Sequence, residues 1–122
     1  MINGFFDQTA DLSDSERKLV PVVATYLQNA VGASNAVFSD HIRQVTGLSG
    51  PRVRKVINYI RTNGLVPCLV ASSRGYYVAE SEQELLEYED SLTGRANEIL
   101  RVRDKIAEQR MERYEPKQLS LF

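Results

Sequence analysis

The chain has 122 residues, of which 25% are charged and 43% hydrophobic, with a formal net charge of −1. These values are typical of one globular domain with extensions. No run approaches the roughly 18 apolar residues of a membrane span, and residues 1–7 lack the basic and apolar regions of a signal peptide. We therefore expect a cytoplasmic protein without a membrane partner.

The chemistry-bearing residues are sparse. The chain contains one cysteine, Cys68, and one histidine, His41, which excludes an internal disulfide and leaves no metal-ligand cluster. Cys68 precedes Leu69 and Val70, so we expect it to be a buried hydrophobe within a strand. No Gly-rich phosphate loop is present. The sequence therefore predicts no enzyme, no catalytic residue, no metal and no cofactor.

The first predicted helix begins at a capping box, Ser13-Asp14-Ser15-Glu16. Its apolar residues recur at helical spacing as far as Leu27. Pro21 lies inside this pattern, so either the first turn is a separate short helix or the helix kinks at the proline. Residues 1–12 are predicted to form an N-terminal arm.

Two further helices are predicted in the next 35 or so residues. The segment Ala36-Val37-Phe38 is compatible with a short strand. Ser39 is a good N-cap for a second helix that ends at Val45. After a glycine-containing turn, Pro51 starts a third helix, which ends near Asn63 at the helix cap Asn63-Gly64.

The third helix is predicted to be apolar on one face and basic on the other. Its inward residues are Val53, Val56, Ile57 and Ile60. From Ser39 to Gly75, six basic residues stand against Asp40 alone. A basic segment on a nearly neutral chain is typical of a polyanion-binding module, and this helix suits a DNA major groove. The alternative is that the basic residues only form a solvated face.

A β-hairpin is predicted after this helix. Its strands are Leu65–Ala71 and Tyr76–Ala79, and the loop Ser72-Ser73-Arg74-Gly75 carries one cation at its tip.

This order of elements resembles the winged-helix variant of the helix-turn-helix fold. The turn Thr46-Gly47-Leu48-Ser49, the exit Asn63-Gly64-Leu65-Val66 and the hairpin carry the resemblance. More narrowly, Gly50-Pro51-Arg52-Val53-Arg54-Lys55 and Ser72-Ser73-Arg74-Gly75-Tyr76-Tyr77 are similar to segments of small uncharacterised winged-helix proteins of bacteriophages and prophages. The expected fold is mainly α with a small β-hairpin (α+β), with a winged helix over residues 13–80.

The resemblance implies a double-stranded DNA partner. In winged helices the third helix enters the major groove and the hairpin touches the backbone or the minor groove. Base contacts would then fall to Arg52, Lys55 and Asn58, and the other cations would lie near phosphates. The full set of expected DNA-binding residues is Arg43, Ser49, Arg52, Arg54, Lys55, Asn58, Arg61 and Arg74. The alternative is a winged helix that binds protein.

Residues 81–114 are predicted to form a long C-terminal helix, or a helical pair broken at Gly94. Apolar residues recur there at the 4-3 spacing of a coiled coil. The homodimer contacts expected from this seam are Leu92, Ile99, Val102 and Ile106. Equally, Leu85, Tyr88 and Leu92 could pack on the winged helix of the same chain.

The final residues, Gln118-Leu119-Ser120-Leu121-Phe122, match the consensus pentapeptide by which bacterial replication and repair proteins dock on the sliding clamp. Pro116 ends the preceding helix, and residues 115–122 are expected to be a flexible tail. Leu121 and Phe122 would fill an apolar pocket, while the Gln118 amide fixes the register. The alternative is that this apolar tail folds back onto the domain.

Together these patterns indicate a DNA-binding accessory protein of replication or repair, recruited to the bacterial sliding clamp or modulating it. Two alternatives remain open: a winged-helix transcriptional regulator, and a protein-only clamp inhibitor.

Overall fold

The computed structural model describes residues 12–114, and the chain divides into two compact units with the boundary after Leu85. The predicted α+β content, mainly helical with a two-stranded antiparallel hairpin, is confirmed. Helix α4 begins in the first unit and forms the described part of the second. The elements in chain order are α1 (Asp14–Gln28), a 3-10 turn (Ala33–Asn35), α2 (Ser39–Thr46), α3 (Gly50–Thr62), β1 (Leu69–Ser72), β2 (Gly75–Val78) and α4 (Glu82–Tyr114).

Helix α1 begins at the predicted capping box. The Ser13 Oγ accepts the Glu16 backbone N–H at 3.2 Å, and the Ser13 backbone N–H donates to Glu16 Oε1 at 2.8 Å. Pro21 lies within one continuous helix, so the alternative of a separate first turn is wrong. The proline lacks the N–H that would have bonded one turn back, while its own carbonyl accepts the Thr25 hydroxyl at 2.9 Å.

Helix α2 differs from the prediction at its start. Ser39 is the first helical residue, and Phe38 occupies the N-cap position without a side-chain cap bond, so the assignment of Ser39 as N-cap is wrong. The cause is long-range: Val37 exchanges two backbone hydrogen bonds of 2.9 Å with Tyr76, which holds the chain extended up to Phe38. The helix continues to Thr46, one residue beyond the predicted end.

Helix α3 ends at the predicted Asn63-Gly64 cap. The Gly64 N–H donates to the Arg61 carbonyl at 3.2 Å and the Leu65 N–H to the Ile60 carbonyl at 3.0 Å, a Schellman motif. Gly64 supplies the left-handed conformation that this motif requires, with φ of 66°.

The chain after that cap corrects the predicted first strand. Residues 65–68 form turns, and β1 starts at Leu69 rather than Leu65. Cys68 is exposed with a φ of 64°, so the expectation of a buried strand cysteine is wrong. The helix cap redirects the chain, and Pro67 has no N–H for a strand ladder, so pairing begins only after Cys68.

Strand β2 is paired on both edges. On one side Leu69 pairs with Val78 and Ser72 with Gly75, which leaves a two-residue loop, Ser73-Arg74. On the other side the predicted strand at residues 36–38 is reduced to a single bridge from Val37 to Tyr76. The hairpin is thereby attached to the segment between α1 and α2.

The core of the first unit lies between the helices and the hairpin. Helix α1 packs mainly on α3, and each fully buried aliphatic side chain contributes about 1.5–3 kcal/mol. Leu12 is also buried, at 5% exposure, so the packed unit includes a residue assigned to the N-terminal arm. The buried core residues are Leu12, Val23, Leu27, Ile42, Leu48, Val53, Val56, Ile57, Ile60, Val66 and Leu69.

Helix α4 runs through Gly94 without a break. Of residues 86–114, all are exposed except the half-buried Tyr88 and Ala107. Across residues 12–114, no helix has the length and apolarity needed to span a bilayer.

Candidate nucleic-acid interface

A buried carboxylate joins the beginnings of α1 and α3. The Glu16 side chain is only 3% exposed, and the Arg52 Nε donates to its Oε2 at 2.8 Å. The Lys55 Nζ lies 3.4 Å from Oε1 of the same carboxylate. Glu16 therefore neutralises part of the positive charge on α3.

The same contact extends to the serines of the capping box. The Arg52 guanidinium donates to the Ser15 Oγ at 2.9 Å and to the Ser13 Oγ at 3.4 Å. One arginine on α3 thus bonds to three side chains around the first turn of α1. Since the Arg52 side chain is still 42% exposed, Arg52 both anchors α3 and remains at the surface.

The hydrogen bond from Arg52 is the largest cause of a lowered pKa at Glu16. It acts with the Ser13 backbone N–H and with Lys55, against the opposing effect of burial, and takes the pKa from 4.5 to about 2. Charge-assisted hydrogen bonds favour the ionised form. Glu16 therefore remains a carboxylate at any physiological pH.

The sequence identified Glu16 as a member of the capping box but did not predict this ion pair. A signal was present, because Glu16, Val23 and Leu27 follow helical spacing and lie on the inward face of α1. All three residues are buried. A carboxylate on an otherwise apolar inward face requires a cation from a neighbouring element.

The two faces of α3 follow the predicted division. Its four inward aliphatic residues are at most 2% exposed. On the opposite side, Arg54 and Lys55 are exposed, while Asn58 and Arg61 are half-buried. The Thr62 hydroxyl donates to the Asn58 carbonyl at 2.8 Å within the last turn. The outward face therefore presents three cations and the Asn58 amide along about two turns of helix.

The remaining expected DNA contacts lie on three different elements. Arg43 is on α2 and forms an exposed ion pair of 3.3 Å with Asp40, a kind of pair that contributes little to stability. Ser49 is the exposed N-cap residue of α3 and makes no side-chain cap bond. Arg74 is exposed at the tip of the hairpin.

The hairpin tip has a defined shape. The Ser72 Oγ accepts the Arg74 backbone N–H at 3.1 Å and donates to the Gly75 carbonyl at 3.2 Å. These bonds stabilise the backbone of the two-residue loop. The exposed Arg74 side chain is consequently held on an ordered turn.

The predicted clamp-binding residues, Gln118 to Phe122, and the whole tail 115–122 lie outside the described residues. The four expected dimer contacts are exposed on α4: Leu92 at 40%, Ile99 at 69%, Val102 at 56% and Ile106 at 56%. No protein-family model, curated protein or solved structure matches the sequence.

Proposed function

We propose that this chain is a DNA-binding accessory protein of replication or repair. Its first unit acts as a winged helix that grips duplex DNA, and residues 118–122 dock on the bacterial sliding clamp. The observation that carries the DNA-binding part is the outward face of α3, where three cations and the Asn58 amide lie opposite a fully apolar inner face. Such a helix can contact the polar base edges in a major groove and the phosphates beside it.

The connections around α3 support the winged-helix assignment. The short turn 47–49 leads from α2 into α3, and the β1–β2 hairpin is the next element after α3. Strand β2 also pairs with Val37 between α1 and α2, which fastens the hairpin to the helical part. In this proposal Arg74 at the hairpin tip contacts the phosphate backbone.

The Glu16 contact assigns different roles to the basic residues of α3. Arg52 holds α3 against α1, because its guanidinium already bonds Glu16 and Ser15. Contacts to DNA then fall mainly to Arg54 and Arg61 at phosphates and to Lys55 and Asn58 toward the bases.

The same contact favours a second candidate, the protein-only clamp modulator. Glu16 offsets charge at both Arg52 and Lys55, which weakens the attraction of α3 for a polyanion. In that case the first unit would present a protein-binding surface, and the clamp would be the main partner.

We also propose that the chain forms a homodimer through α4. The seam residues of this helix are large, apolar and exposed on the second unit. Pairing two such stripes would remove them from water.

Duplex binding measured by fluorescence anisotropy tests the DNA proposal. We expect Arg54→Ala with Arg74→Ala to weaken binding and to lower the slope of log affinity against log salt by about two, since each phosphate contact contributes about 0.9. The matched control is Arg101→Ala with Arg103→Ala, which also removes two exposed cations but from α4. Equal effects of the two pairs, or no binding at all, would leave the protein-only candidate.

A further inference from the structure

The charged residues beside the coiled-coil seam of α4, which is formed by its a and d positions, favour one orientation of two paired copies over the other. In the 4-3 pattern, Leu92, Ile99 and Ile106 occupy a positions, while Arg95, Val102 and Gln109 occupy d positions. All six lie on one uninterrupted helix in the second unit. The residues beside the seam are Glu98, Lys105 and Glu112 at g positions and Glu89, Ala96, Arg103 and Arg110 at e positions.

A parallel pair is disfavoured by these residues. Parallel helices bring each g residue near the e residue five positions later on the partner. Within the described part of the second unit, that rule sets Lys105 beside Arg110, a like-charge contact that offsets the favourable contact between Glu98 and Arg103. At the seam itself, a parallel pair places each Arg95 opposite its own copy, and like charges repel most where water is partly excluded.

An antiparallel pair avoids these conflicts. We place the two-fold axis of this pair between Ile99 and Val102. Ile99 of each copy then packs against Val102 of the other, which gives two central layers of seam residues. Antiparallel pairing brings g residues beside g residues and e residues beside e residues. Glu98 then faces Lys105, and Glu89 faces Arg110, so that both contacts between charged flanking residues are of opposite sign.

The register is also selected by charge. Sliding one helix by a heptad in one direction would face Glu98 with its own copy, and sliding it the other way would do the same to Lys105. The register centred between Ile99 and Val102 also separates the two Arg95 side chains, which then lie on opposite sides of the two central layers. Gly94 lies at a c position, away from the seam in this arrangement.

We infer that α4 is an antiparallel homodimerisation helix with its two-fold axis between Ile99 and Val102. This inference rests on the proposed homodimer but not on DNA or clamp binding. The C-terminal ends of the two helices then lie at opposite ends of the pair. A dimer of this kind separates the segments that follow α4 instead of placing them side by side.

A single charge reversal distinguishes the two orientations by the sign of its effect. In the antiparallel pair, Lys105→Glu sets a glutamate beside Glu98 in each of the two symmetry-related contacts, and we expect the dimer dissociation constant from sedimentation equilibrium to rise about tenfold. In a parallel pair the new glutamate would face Arg110, and the dimer would tighten. The matched control is Arg101→Glu at an outward c position. Each substitution also removes one ion pair within its own helix.

Disulfide trapping gives a second readout on the full-length chain with Cys68→Ser. Gln109→Cys alone should not cross-link, because the two copies of residue 109 would be about 25 Å apart at 1.5 Å per residue. A mixture of Gln109→Cys and Leu92→Cys chains should form a mixed disulfide, since these residues share a layer. Cross-linking of Gln109→Cys to itself would overturn the antiparallel orientation and keep the dimer. A monomer, or an assembly larger than two, would overturn the proposed homodimer as well.

Discussion

At the scale of single residues, Glu16 connects helix capping to the placement of the basic helix. The carboxylate accepts the Ser13 N–H at the start of α1 and bonds Arg52 on α3. A buried carboxylate with fewer partners would be costly. Because both oxygens are used, the first turn of α1 and the first turns of α3 are held in one arrangement.

This contact predicts a specific dependence of stability on pH. The pKa of Glu16 is lowered from 4.5 to about 2, so the unfolded chain binds more protons than the folded one between these values. Its stabilising contribution is present above about pH 4.5 and is lost as the pH falls toward 2. We expect Glu16→Gln to reduce the free energy of unfolding by about 1–3 kcal/mol at pH 6 and to lose less stability on acidification than the unmodified chain.

Urea unfolding at a series of pH values between 2 and 7 measures this difference. The matched control is Glu98→Gln, whose carboxylate also bonds an arginine, Arg101, but is 66% exposed. We expect that control to follow the unmodified chain within about 0.5 kcal/mol. If Glu16→Gln followed it too, the ion pair with Arg52 would have no energetic role.

At the scale of elements, local signals in the sequence predicted more than long-range ones did. The capping box of α1, the apolar face of α3 and its Asn63-Gly64 cap depend on residues within a few turns, and all three are confirmed. The position of the α2 cap depends on the backbone pairing of Val37 with the distant Tyr76. Such a pairing has no signature in a short window of sequence. The start of β1 and the exposure of Cys68 follow instead from the helix cap and from Pro67, two local features that the strand prediction did not weigh.

The candidate site shows the same division. The inward and outward faces of α3 followed from helical periodicity. The ion pair between Glu16 and Arg52 joins residues far apart in the sequence. Helical spacing places Glu16 on the inward face of α1, but only the packing of α1 on α3 identifies Arg52 as its partner.

The attachment of the hairpin to the helical part depends on one close approach. Gly75 has a φ of 111°, and a Cβ at this position would clash with the Val37 carbonyl. We expect Gly75→Ala to lower the free energy of unfolding by about 2 kcal/mol, since it combines an unfavourable backbone conformation with that clash. Thermal or urea unfolding measures the change.

Gly94 provides the contrasting substitution. It lies inside α4, where an added Cβ would meet no atom of the described residues within 4 Å. Gly94→Ala should therefore raise the helicity of α4, because alanine is the better helix former by about 1 kcal/mol. Similar destabilisation by both substitutions would contradict the role assigned to the contact between Gly75 and Val37.

At the scale of the whole molecule, the proposed function combines two weak attachments. In this proposal the basic face of α3 binds DNA with only a weak attraction to the phosphates, because Glu16 offsets the charges of Arg52 and Lys55. A short docking peptide binds at about the micromolar level, since ordering its backbone offsets much of the burial of two apolar side chains. When the sliding clamp is loaded on the same DNA, a chain that has bound one of them meets the other at a high effective concentration.

This combination predicts how loss of the last five residues affects each partner. We expect the full chain to bind purified bacterial sliding clamp with about micromolar affinity in a calorimetric titration, and a chain ending at Lys117 not to bind. Both chains should bind bare duplex equally, because the proposed DNA-binding face lies in the first unit. On clamp-loaded DNA the full chain should dissociate more slowly than the shortened one. Leu121→Ala with Phe122→Ala should reproduce the truncation, and clamp binding that survives these substitutions would refute the docking role of the tail.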